Sequence, residues 1–224
     1  MTPKERLADN FTVNRKGENN TLMSNNQDKN ILTKSVLLAV LVIGSSFTCA
    51  AETQTWQIDP NHTAAQFSVR HLGISTVRGM FEKTSGTVVF DPSDPAKASI
   101  DATIDATTFN SRVQMRDNDV RSPHFLDVAK YPTITFKSTR TEVAGTGTLK
   151  ITGDLTIHGV TKQVVLDVEG PSPAIKDPMM GNLRIGANAT TKINRNDFGI
   201  TTMPGIVGDD IQIVLDVELT RPVK

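Results

Sequence analysis

The sequence reads as an all-β fold, an antiparallel barrel of about eight strands, on three observations. Apolar and polar residues alternate with period two from Trp56 onward. Clusters of Asp, Gly and Pro punctuate the alternating runs, and several positions on their apolar faces are alanine. Alternation places successive side chains on opposite faces of a strand, so each run has one face for a core and one for water. Asp, Gly and Pro supply turn geometries that β-branched residues resist.

In chain order, Thr63, Ala65, Phe67 and Val69 alternate with Ala64, Gln66, Ser68 and Arg70, which makes the first strand. A second strand is expected between Arg78 and Asp91. The third sets Ile100, Ala102, Ile104 and Ala106 against Asp101, Thr103, Asp105 and Thr107. Residues 111–128 break the pattern, because Val113, Arg116, Asp117 and Val120 recur at helical spacing. Ser122-Pro123 resembles a helix cap with a first-turn proline. One or two short helices are therefore expected between strands three and four.

The fourth strand carries Ile134 and Phe136, and the fifth Leu149, Ile151, Leu155 and Ile157. Val164, Leu166 and Val168 share a face in the sixth, as do Leu183, Ile185, Ala187 and Ala189 in the seventh. The eighth sets Ile211, Ile213, Leu215, Val217 and Leu219 against Gln212, Asp216, Glu218 and Thr220. Turns fall at Asp91-Pro92-Ser93-Asp94-Pro95, at Ala144-Gly145-Thr146-Gly147 and at His158-Gly159, where His158 reads as a turn residue. The proline-rich stretch 171–178 reads as a loop, and no linker or repeat divides residues 52–224.

Eight such strands can close into a barrel or pack as a sandwich. An eight-stranded barrel is either just filled by its side chains or holds one small ligand. Ala65, Ala102, Ala106, Ala187 and Ala189 are small where a packed core would use Leu or Phe. An unfilled core costs stability, and a bound apolar molecule would fill it. A sandwich in which small residues face large ones across the core is the alternative.

Composition narrows the function classes. Lys+Arg and Asp+Glu both number 24 and aromatics make up 5% of the chain, which argues against nucleic acid as a partner. No cysteine framework or Cys/His pattern points to a metal site. Lys29 to Lys34, the apolar run from Val36 to Ile43 and the small residues ending at Ala51 form the three parts of a cleavable export signal. The run is too short to span a bilayer, which needs about 20 residues. Residues 1–51 are thus read as an N-terminal extension and signal, with cleavage near Ala51. Met23 opens a more ordinary signal, so residues 1–22 read as an over-extended start. Acylation at Cys49, as in a lipoprotein, is disfavoured by Phe47 and Thr48 before it.

Several motifs then occur in order: His71-Leu72-Gly73, Gly79-Met80-Phe81, Arg116-Asp117, Arg121-Ser122-Pro123-His124-Phe125-Leu126-Asp127 and Ala129-Lys130-Tyr131-Pro132. Gly153 through Lys162 and Asn194-Arg195-Asn196-Asp197-Phe198-Gly199 follow. As an ordered set they resemble the YceI-like family of periplasmic polyisoprenoid-binding proteins, from about Trp56 to the C-terminus. The resemblance implies a lipocalin-like barrel in the periplasm that encloses a polyisoprenoid or quinone tail and has no covalent cofactor. Brief contact with the inner membrane or a membrane quinone enzyme would accompany loading. The oligomeric state stays open, a homodimer among the options.

Phe67, Val69, Phe81, Ile100, Ala102, Ile104, Ala106, Ile134, Phe136, Leu149, Ile151 and Ala187 are the residues expected to line the tube. Arg116, Asp117 and Arg121 are read either as an ion-paired clip holding the helical segment to the barrel or as a contact for a polar headgroup. Two other functions stay in view. One is a periplasmic enzyme using Arg116, Asp117, Asp119, Arg121 and His124 on an apolar substrate, although no hydrolase, HExxH or phosphate-loop motif is present. The other is a structural, stress-related protein.

Overall fold

A computed structural model of the chain describes residues 53–223. The expected export signal, its expected cleavage near Ala51 and Cys49 lie outside the described residues. The strands are β1 (Gln54–Ile58), β2 (Ala64–His71), β3 (Ser75–Phe81), β4 (Thr84–Phe90), β5 (Ser99–Asp105) and β6 (Phe109–Asn110). After helix α1 (Gln114–Arg121) come β7 (Thr133–Gly145), β8 (Thr148–Ile157), β9 (Val160–Glu169), β10 (Ile175–Lys176), β11 (Leu183–Asn194) and β12 (Val207–Arg221). All pairings are antiparallel. The order β11-β9-β8-β7-β5-β4-β1-β12 closes on itself, because β12 pairs back along the whole of β11. The result is a closed eight-stranded barrel with extra strands, and closure removes the sheet edges that invite aggregation.

Eleven segments make eight staves because the first three staves are each broken once, and the twelfth, β10, is a short extra strand beside β11. β1 and β2 pair end to end along β12, at Gln57↔Thr220 and Ala64↔Asp216. β4 pairs with β1 while β3 pairs with β2, and β6 pairs with β3 beyond the end of β5. The strand expected between Arg78 and Asp91 is therefore two strands. Glu82 and Lys83 leave the ladder, and their amides donate to the Thr108 hydroxyl at 3.1 and 3.2 Å. Buried backbone groups released from a ladder need new partners, and Thr108 supplies them.

The third break corrects the reading of Ala106. β5 ends at Asp105, whose carboxylate accepts the Thr107 N–H at 3.0 Å and caps a 3-10 turn over Ala106–Thr108. Ala106 lies in that turn, 1% exposed, with its own N–H on the Pro132 carbonyl at 2.9 Å.

The insert holds a single α-helix. Ser122-Pro123 ends it and does not begin a second one: the Ser122 N–H closes on the Asp119 carbonyl at 3.1 Å. Proline then follows, where a helix cannot continue. At the β8–β9 turn, His158 and Gly159 have φ of 51° and 75°, as a primed two-residue hairpin requires. A Cβ on Gly159 would lie 2.5 Å from the Tyr131 ring, so glycine is needed there twice over. This turn, the insert and the loops at 72–74 and 195–206 form the upper end of the barrel. The loops at 91–98, 145–147 and 170–182 form the lower end.

Candidate functional site

The inward faces of the staves enclose a cavity of about 310 Å³ with a wall that is almost wholly apolar. It runs from Ile58, Phe90 and Leu219 in the lower half to Val69, Phe198, Ile200 and Val207 at the upper end. Phe67, Val69, Phe81, Ile100, Ala102, Ile104, Ile134, Phe136, Leu149, Ile151 and Ala187 all lie on its wall. Ala106 does not, because the chain has left the strand before reaching it.

The space exists because small residues recur on the inner face. Ala65 and Ala189 sit on either side of Leu215 across the ladder, and Ala102 lies between Gly86 and Phe136. Phe136 in turn lies over Gly153, where a Cβ would come within 2.4 Å of its ring. Any side chain at 153 would push that ring towards the cavity. Phe67, Phe81 and Phe109 form the bulky side of the wall, with Phe67 and Phe109 stacked at 5.1 Å.

Polar atoms on the wall are few. Thr84 is buried, and its hydroxyl finds no hydrogen-bond partner among the described residues. Arg195 borders the cavity but directs every N–H elsewhere. Nε donates to the Gly208 carbonyl (3.1 Å), Nη1 to Ile200 and Thr202 (2.8 and 2.7 Å), and Nη2 to Val207 and the Asp209 carboxylate (both 3.0 Å). It fastens the 195–206 loop over the upper end.

Arg116, Asp117 and Arg121 hold the insert in place, without the ion pair expected between them. Buried Asp117 accepts the Ser111 N–H at 2.8 Å and the Ser111 hydroxyl. Arg116 donates to the same hydroxyl at 2.7 Å and to the Ser111 carbonyl at 2.8 Å, and Arg121 donates to the Phe109 carbonyl. Adjacent residues on a helix point in different directions, so 116 and 117 converge on a third group instead of each other. None of the three lies on the cavity wall. Asp119 and His124 pair at 3.0 Å on an exposed part of the insert, so these groups do not assemble a catalytic set around the cavity.

A second polar centre, which sequence reasoning missed, lies towards the lower end. Arg184 binds Asp59 at 2.7 Å, Asp177 at 2.5 Å and Glu218, and His62 contacts Asp59 at 2.9 Å. Burial opposes ionisation of Asp59, but hydrogen bonds from His62, Arg184 and the Asn61 N–H prevail and hold its carboxyl at about 2. The amides of Met180 and Met179, then Arg184, likewise lower Asp177, while the three carboxylates raise Arg184. Asp59, His62 and Glu218 offer three ligand atoms within 4.8 Å of one another. The Arg184 guanidinium already bridges the two carboxylates as the resident cation, and so ties the 170–182 loop to β12 and to the break between β1 and β2. Its partners lie up to 125 residues away in sequence, and no local pattern announces them.

Comparison with known proteins adds family and fold. The YceI-like domain model matches residues 56–219. A UPF0312 protein of Vibrio cholerae is 39% identical over 173 residues, 76% of this chain and 90% of its own length. The YceI protein of Campylobacter jejuni superposes with a TM-score of 0.60 at 34% identity, over 69% of this chain and 90% of that one. A polyisoprenoid binding domain from Saccharophagus degradans shares the fold at TM-score 0.55 and 14% identity, covering 75% of this chain and 98% of its own.

Proposed function

The chain belongs to the YceI-like family, and from that premise we propose that its barrel holds the tail of a polyisoprenoid lipid or isoprenoid quinone in the periplasm, for carriage, storage or protection. The observation that carries this reading is the enclosed apolar cavity with small residues on its wall. An empty space of that kind costs its lining the contacts it lacks, and a hydrocarbon chain restores them. The name of the Saccharophagus fold-mate is consistent with the same class of occupant.

The energetics suit a carrier. Each methylene transferred from water gains about 0.8 kcal/mol, so a tail of several isoprene units measured against water would exceed the practical ceiling of roughly 20 kcal/mol. The tail starts from a bilayer, however, which is as apolar as the cavity. Exchange is then nearly balanced, and the protein can both load and release.

Native mass spectrometry with lipid extraction, on protein purified gently from its own cells, tests the reading. The expected result is a non-covalent adduct with the mass of a prenyl lipid or quinone. Protein that emerges ligand-free and takes up no prenyl lipid when offered it would remove the proposal.

A further inference from the structure

The upper end carries an apolar rim that the cavity does not use. Leu72 and Ile74, at the β2–β3 tip, are 52% and 80% exposed, and Met203 and Ile206, just before β12, are 41% and 42% exposed. The two loops make one surface. The Leu72 N–H donates to the Ile206 carbonyl at 2.8 Å, and the N–H groups of Ile206 and Val207 both donate to the Met203 carbonyl. Val207 pairs with His71 and also lies on the cavity wall, so the rim adjoins the upper end of the cavity.

The backbone at both tips is unusual for the residues it carries. Leu72 and Met203 have φ of 51° and 54°. Glycine and asparagine tolerate this left-handed region, whereas side chains of this kind are strained there. Each position therefore bears a conformational cost and an exposure cost together. Strain retained at a surface tip points to a use for the side chain.

Exposed arginines flank the rim. Arg70, Arg78 and Arg112 are exposed at this end, and none forms an ion pair among the described residues. Arg70 folds over the β2–β3 tip, donating to the Thr76 hydroxyl at 2.9 Å and the Gly73 carbonyl at 2.6 Å. Of the acids at this end, Asp209 pairs with Arg195, Asp210 with Lys192 and Asp119 with His124, while Asp127 and Asp197 form no ion pair among the described residues. Apolar tips flanked by exposed, unpaired arginines match an anionic lipid surface, where the side chains enter the acyl boundary and the charges meet headgroups.

We propose that this rim docks the barrel, upper end first, onto an anionic phospholipid bilayer. Resting on the container reading above, docking there lets a tail pass between bilayer and cavity without crossing water. The test uses the purified protein with vesicles of phosphatidylethanolamine and phosphatidylglycerol, against vesicles of phosphatidylcholine alone. Binding is expected to the first and much less to the second, and to weaken as salt screens the charges.

Leu72→Asn combined with Met203→Asn should lower vesicle binding roughly tenfold or more. Its melting temperature should hold or rise, since asparagine accepts the left-handed backbone. Arg78→Gln with Arg112→Gln should cost about fivefold per charge on the anionic vesicles. Uptake of a prenyl quinone from detergent micelles should be unchanged in every variant. Failure of that uptake in the wild type would fault the container and not the docking. Wild-type protein that ignores anionic vesicles, or variants that bind them undiminished, would overturn the docking proposal. A wild-type dimer dissolved by the apolar substitutions would overturn it too, by making the rim a contact between copies of the chain.

Discussion

Ala102→Trp is expected to fold and, in titration from aqueous solution, to bind a short prenyl tail on the order of 100-fold more weakly than the wild type, since three or four methylene groups left in water lose about 0.8 kcal/mol each. Ala102 lies on the wall of the cavity, between Gly86 and Phe136. An indole there takes a large share of about 310 Å³. Overpacking a filled core costs about 1–3 kcal/mol, but here the added atoms enter space that is already open. The melting temperature should therefore move little while binding collapses. Ala106→Trp provides the contrast. Its methyl packs in a buried turn off the cavity wall, so that variant should lose stability first. Both are read by calorimetry and by fluorescence titration with a prenyl quinone. An Ala102→Trp protein that is well folded and binds normally would show that the tail does not occupy this part of the barrel.

Arg195→Met is expected to destabilise the protein by about 3–5 kcal/mol, because four backbone carbonyls lose their donor at about 1 kcal/mol or more each. The methionine keeps most of the aliphatic volume but removes all five N–H donors. The carbonyls of Ile200, Thr202, Val207 and Gly208 then lose a partner in or near the core. The Asp209 contact adds little, because that carboxylate is half exposed. For a domain of this size the change corresponds to a fall in Tm on the order of 10 °C. Arg195→Lys should recover only a small part, since an ammonium cannot reach five acceptors spread over the loop and the start of β12. A shift within a degree or two for Arg195→Met would mean that the loop holds by other contacts.

These two residues mark how far the sequence could be read. Ala102 was legible because period two carries a side chain inward whatever lies around it, and the same rule located Phe67, Ile100, Phe136 and Leu149. It failed at Ala106 because Asp105, an outward strand residue by pattern, is also a good cap, and capping ended the strand. The break at Glu82-Lys83 has no Gly or Pro to announce it. Phe125 and Ile200 reach the cavity from loops and Arg195 and Phe198 from a single 3-10 turn, where no periodicity exists to reveal an inward direction. Asp59, Asp177, Arg184 and Glu218 meet only once the barrel has closed. Arg116, Asp117 and Arg121 suggested an ion-paired clip, but their partners, Ser111 and the Phe109 carbonyl, are supplied by the segment before the helix.

The central claim, an apolar cavity that holds an isoprenoid tail, is tested most directly by affinity as a function of tail length. Quinones sharing one headgroup, with tails short enough to dissolve as monomers in water, would be titrated from aqueous solution, with no detergent or bilayer to compete for the tail. The account predicts that affinity climbs with each unit until the cavity is full and then levels off. Binding that is independent of tail length would contradict it, because an apolar cavity responds to how much of it is filled.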